Sequence, residues 1–288
     1  MLLWALLALF TVGTGRVPPL QLTAMAFAVG GTIGLAAIVS RPGPTAPALG
    51  RALAQPVRVW ALGVAGLFGY HLAYFTALDN APPAEAGLIA YLWPLLIVLF
   101  SGLLPGQRLG GLHVAGGLLG LAGAALLILG ERGLSTPEAA HLPGYAAAIA
   151  CALIWSGYSV LSRVVGEAPT DSVAGFCLVV AGLAALAHLA LEATVWPEDA
   201  LGWAAVLGLG LGPVGAAFYA WDHGCKRGDL QLLGVSAYAA PVLSTAALVA
   251  AGVAAPSWRL FAAAGLIALG AGLAALGSAR RARAARAP

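Results

Sequence analysis

Apolar residues run along this chain in blocks of roughly twenty, the length a helix needs to cross a bilayer, and the blocks are parted by short segments holding most of the charge. Within a block the apolar positions do not alternate with polar ones, so barrel strands are excluded and helices are predicted. Ten blocks are read: Met1 to Gly13, Leu20 to Ser40, Arg58 to Leu78, Ala84 to Leu104, Leu109 to Gly130, Gly144 to Val165, Ser172 to Ala193, Leu201 to Trp221, Leu230 to Gly252 and Arg259 to Gly277. An all-α membrane protein follows.

One stretch departs from plain lipid-facing helix: YHLAYFTALDNAPPAEAGLIAYLWP, from Tyr70 to Pro94. Tyr70 and Tyr74 share a helix face, with His71 beside them. The Asp79-Asn80-Ala81-Pro82-Pro83 segment ends one helix and starts the next. Tyr91, Trp93 and Pro94 follow, and Pro94 has no N–H for the carbonyl of Ala90. A carbonyl freed at membrane depth is tolerated where other helices or a wet cavity satisfy it. A binding cavity is expected here.

The pattern recurs. Trp4 and Trp155 stand 151 positions apart, as do Pro18 and Pro169; Tyr91 and Pro94 return as Tyr238 and Pro241 after 147. One duplicated unit of five spans is predicted: residues 1–130, a linker at 131–143, a second unit at 144–278 and a basic tail at 279–288. Five is odd, so the second copy enters the membrane from the opposite side, giving two inverted five-helix repeats. Three residues precede Trp4, against about ten before Trp155 in its own span. A stunted or shortened first helix is expected, which an apolar reading frame upstream of Met1 would explain.

Composition and charge narrow the class. The chain is 61% hydrophobic and 9% charged, with mean hydropathy +0.92, far from the quarter charged residues of a soluble domain. Eleven of the 14 basic residues lie in alternate connections and the tail, which places both termini in the cytoplasm of a multi-pass plasma-membrane (inner-membrane) protein. The tail reads as an anchor on anionic headgroups rather than a nucleic-acid patch. Cys151, Cys177 and Cys225 have no metal or disulfide spacing. With no phosphate loop, metalloprotease or nucleophile motif, no catalytic residues, metal or cofactor are expected. A channel would need a ring of charged residues, which is lacking.

No Lys, Arg or carboxylate is placed at mid-depth by this reading, which excludes phosphorylated guests. The expected partners are the lipid bilayer and a small neutral or zwitterionic molecule, an amino acid with a large side chain above all. Its apolar part would stack on Tyr70, Tyr74, Tyr91, Trp93, Trp155 and Tyr238, with His71, Tyr158 and Ser159 alongside. Trp60, Trp196, Trp203 and Trp258 read as interface belts; Pro94, Pro213 and Pro241 read as helix breaks with a gating role. Ser159 and Ser162 serve interhelical bonds equally well, and His71 is divided between binding and a structural bond. Asp222, Glu85 and Asp229 are read as solvated helix ends, His113 and His188 as structural. With His71 the sole relay candidate, facilitated export is favoured over proton antiport. A monomer or weak dimer is expected.

Two five-span units, each with a Trp early in the first helix, small residues after the third, a mid-helix Pro in the fourth and a Gly-rich fifth, resemble the drug/metabolite transporter superfamily and its EamA-type ten-helix exporters. Gly106-Gln107-Arg108 departs from the Gly-Glu-Arg turn common in that family. The resemblance implies a central cavity between the halves, alternating access, export from the cytoplasm, and peripheral fifth and tenth helices. Export of other neutral or cationic metabolites or drugs is the alternative within the same superfamily.

Overall fold

The computed structural model describes residues 1–130, 138–165 and 168–284, and among these it is helical with no strand. Among the described residues nine helices are long and apolar enough to span a membrane: α2 (Pro19–Val39), α3 (Val57–Asn80), α4 (Pro83–Ser101), α5 (Gly111–Leu129), α6 (Ala139–Val164), α7 (Ser172–Leu191), α8 (Ala200–Arg227), α9 (Leu230–Ala250) and α10 (Trp258–Arg281). The shorter apolar helix α1 (Leu2–Gly13) precedes them; at ~1.5 Å per residue it reaches about 18 Å. Most of the proposed linker, residues 131–137, lies outside the described residues, as does Arg286. The basic tail starts inside a helix, since helical structure continues from α10 to Ala284.

Helix starts follow the local chemistry. Pro19 and Pro83 sit in first turns, where a missing N–H costs nothing. Asp199 accepts from the Gly202 N–H at 2.8 Å, and Asp229 from the N–H groups of Gln231 and Leu232 at 3.0 and 3.1 Å. The start of α2 is capped from elsewhere: Glu192, just past α7, accepts from the N–H groups of Leu20 and Gln21.

Four of the long spans carry irregularities that match in pairs. A π-helical turn occupies Ala65–Gly69 in α3 and another Gly212–Ala216 in α8, 147 positions on. Pro213 cannot donate to the preceding turn, so the backbone there widens. In α4 regular helix stops at Ala90 and resumes at Trp93; in α9 it stops at Ala237 and resumes at Ala239. The breaks coincide with Tyr91–Pro94 and Tyr238–Pro241.

The most extensive packing pairs are α5 with α10, α3 with α6, α2 with α7, α4 with α6 and α2 with α8, while α4 also lies on α9 and α1 on both α8 and α9. Small residues permit the closest approaches. A Cβ at Gly116 would run into the carbonyl of Gly270, and one at Gly34 into the hydroxyl of Tyr219, which donates to the Gly30 carbonyl at 3.1 Å.

Candidate functional site

Four tryptophans from four helices meet at the centre: Trp4 of α1, Trp93 of α4, Trp155 of α6 and Trp221 of α8. Every pair has ring centroids between 5.0 and 6.3 Å apart, within the range of favourable aromatic contact. Trp93, Trp155 and Trp221 are 3–5% exposed, so the rings fill the space they surround.

Two of the indole N–H groups bond to other helices. Trp4 Nε1 donates at 3.0 Å to the carbonyl of Pro213, inside the π turn of α8. Trp221 Nε1 donates to Ser159 Oγ at 3.0 Å, and Ser159 in turn donates to the carbonyl of Trp155.

Further rings extend the layer. Phe218 lies 5.6 Å from Trp155 and stacks on Phe27 at 5.5 Å, and His71 meets Phe27 edge-on at 5.1 Å. Tyr70 lies 5.2 Å from Trp155 and stacks on Tyr74 with ring planes 2° apart. Tyr70, His71, Tyr74 and Tyr91 are half-buried. His71 Nδ1 is bonded at 2.7 Å to the carbonyl of Leu67, inside the π turn of its own helix. Tyr158 packs 5.3 Å from Trp155 and covers Gly66, where a Cβ would come within 2.6 Å of its ring.

Such a layer of buried rings, tied to a carbonyl of the π turn of α8, forms the interior of the helix bundle. The whole-chain pattern decides its kind: residues 1–129 and 142–276 each match the EamA-like transporter family. The chain belongs to the EamA-like transporter family. It is therefore a multi-pass membrane transporter and not an enzyme.

Its relatives within the family carry more specific names. The chain is 56% identical over 276 residues to the aromatic amino acid exporter YddG of Ancylobacter novellus, covering 96% of this chain and 94% of that protein. It is 30% identical to the protein of the same name in Salmonella typhimurium, over 56% of each chain. A solved crystal structure superposes with a TM-score of 0.88 at 56% identity, covering 96% of this chain and 94% of that one.

Of the residues singled out in the transporter's sequence, Tyr70, His71, Tyr74, Trp93, Trp155, Tyr158 and Ser159 are brought together. Tyr91 stands at the edge, 6.4 Å from Trp93. Tyr238 lies apart, fully buried with Ala124 and Ile267 and set against Gly120. Pro213 supplies the carbonyl that Trp4 takes; Pro94 is buried and Pro241 half-buried, each just past its helix break. Trp196, Trp203 and Trp258 are exposed, as belt residues should be, whereas Trp60 packs edge-on against Phe176 at 5.3 Å.

Sequence reasoning missed half of the indole layer. Trp4 served there only as a marker of the repeat, although its matching partner Trp155 was already a candidate. Trp221 was taken for the last residue of a span; its spacing of three from Phe218 was the available signal. The reading of Asp222 and Glu85 as solvated is corrected. Asp222 is 1% and Glu85 6% exposed, because α8 continues to Arg227 and Glu85 accepts a hydrogen bond from Tyr145 of α6. The interior is thus not free of charge: Asp222, next after Trp221 in the chain, is buried with Lys226. Among the described residues, no group of three or more His, Cys, Asp or Glu is placed to hold a metal.

Proposed function

We propose that this transporter exports amino acids with large side chains, aromatic ones foremost, by alternating access, and that the guest's side chain lodges among Tyr70, Tyr74, Trp93, Trp155 and Tyr158, with Tyr91 at the edge of its approach. The single observation carrying this reading is the four-tryptophan layer drawn from α1, α4, α6 and α8. Rings that contact one another edge-on and face-on offer the same contacts to an inserted aromatic guest. The names of the relatives agree with it.

Alternating access follows from an inverted repeat of ten helices, α1–α5 and α6–α10. Exchanging the two halves sends α5–α10, α2–α7 and α4–α9 onto themselves and α3–α6 onto α8–α1. The matched π turns and matched breaks support the same relation. Rocking of one half against the other would part the rings, with Pro94, Pro213 and Pro241 at the points of flexure. The positive-inside rule directs the end bearing Arg41, Arg108, Arg163 and Lys226 to the cytoplasm of the plasma membrane.

Counterflow in proteoliposomes tests this directly. Radiolabelled Trp and Phe should exchange with unlabelled amino acids and not with sugars. Exchange of lipophilic cations in preference to amino acids would support the drug-export alternative and overturn the reading. Trp93→Ala and Trp155→Ala should each change the order of preferred guests; an unchanged order in both would remove the ring layer as the site.

A further inference from the structure

The arginine-rich end of the seam between the halves holds a buried ion pair that the ring layer does not use. Lys226 Nζ lies 2.8 Å from Asp222 Oδ2, one turn apart on α8, with side chains 15% and 1% exposed. Thr170 Oγ1 donates to the same oxygen at 2.8 Å, and Lys226 donates to the carbonyl of Ala168 at 2.9 Å. These bonds tie the α6–α7 connection to α8. Asp222, Lys226, Tyr158 and Ser162 line a cavity of about 20 Å³, room for little more than a water, which Val59 and Leu62 of α3 close from the other half.

Two placements make this more than an internal clamp. Tyr158 shares the cavity with Asp222 and Lys226 and touches Trp155, so one side chain separates the pair from the ring layer. The wall facing the pair from α3 is apolar and belongs to the opposite half. A motion that draws α3 away would open the cavity on the side of Val59 and Leu62.

We propose that Asp222 and Lys226, with the Thr170 hydroxyl, form the station that reads the charged end of an α-amino acid: the guest's ammonium pairs with Asp222 and its carboxylate with Lys226 and Thr170, while its side chain points into the tryptophans. The proposal rests on the amino-acid reading above. Its physical basis is charge balance. A zwitterion exchanged into an ion pair leaves two matched pairs and no net buried charge, whereas a guest with one charge strands a partner in a low-dielectric site. The pair would thereby select amino acids over their amines and acids, a discrimination the rings cannot make.

The test is counterflow of radiolabelled Trp by the full chain in proteoliposomes, with unlabelled Trp, tryptamine and indole-3-propionate as competitors. In the wild-type protein Trp should compete at least about tenfold better than either analogue. Asp222→Asn leaves Lys226 unmatched and should shift preference toward indole-3-propionate; Lys226→Gln leaves Asp222 unmatched and should shift it toward tryptamine. Opposite shifts are not expected of two changes that merely loosen one clamp. Should either single variant fail to fold, the neutral Asp222→Asn/Lys226→Gln double variant carries the test, and it should lose the preference for Trp over both analogues. Variants that keep the wild-type order of competitors overturn the proposal alone. A wild-type protein that exchanges no amino acid overturns the function reading and this proposal together.

Discussion

The π turns of α3 and α8 occupy matching places 147 positions apart, yet each is completed differently. Both turns hold two glycines, but in α3 the carbonyl of Leu67 is answered by His71, four residues further along the same helix. In α8 the turn carries Pro213, whose carbonyl is answered by Trp4 from another helix, 209 positions away. One irregularity is finished locally, the other by import. The helix ends repeat the contrast: α9 is capped by its own Asp229, but α2 by Glu192 from beyond α7. A backbone group left open in the membrane needs a partner, and the fold supplies it from whichever neighbour is closest. Where the partner is imported, the local irregularity becomes a tertiary contact.

The largest expected effect comes from filling each turn. A Cβ at Gly215 would strike the carbonyl of Gly210, which is backbone and cannot swing away, whereas one at Gly66 meets the Tyr158 ring at 2.6 Å. Gly215→Ala should therefore cost on the order of 1–3 kcal/mol or more of stability, and Gly66→Ala less, though with altered guest preference because Tyr158 moves. Thermal unfolding in detergent measures the first and counterflow the second. Equal losses in both would refute the distinction between backbone and side-chain obstruction.

Removing the two answering groups comes next. Trp4→Phe keeps a ring in the layer and deletes the bond to Pro213, with an expected cost of ~0.6–2 kcal/mol and weakened transport. His71→Phe deletes the bond to Leu67 at a cost of about 1 kcal/mol and should disturb transport less, since no second helix loses its attachment. A larger transport defect in His71→Phe would instead assign that histidine a direct part in binding or coupling.

The smallest expected effect concerns the capping pair at the rim. Burial favours the neutral form of Asp229, but Ser278, the Leu232 N–H and Arg281 outweigh it and hold the carboxyl below its ordinary value of 3.8. A carboxyl lowered by folding stabilises fully above its unfolded pKa, and that share is lost as pH falls through the lower folded value. Melting temperature should thus decline with acid below about pH 4, and Asp229→Asn should flatten that decline. An identical acid slope in the variant would show that other groups set it.

Much of the site was legible in the chain. Tyr70, His71 and Tyr74 declared themselves by helix spacing, and the break before Pro94 by proline's missing donor. Trp93 and Trp155 stood out because they fall mid-span, where an interface belt does not reach. Trp221 and Asp222 were missed because hydropathy falls after Trp221 while α8 runs on to Arg227, so both lie within a packed helix rather than at its end. Hydropathy marks where a helix turns polar and not where it stops.

Apolar block length, the placement of basic residues and the 147-position recurrence are properties of the chain order alone, and they determined the membrane class and the expectation of paired halves. Which side chains share a space was decided only by packing. Trp4 and Trp221 are 217 positions apart, and their 5.0 Å contact arises because small residues let whole helices close on one another. The same closure buries Asp222: its pairing with Lys226, one turn on, is local to α8, but the Thr170 hydroxyl that donates to it comes from another segment.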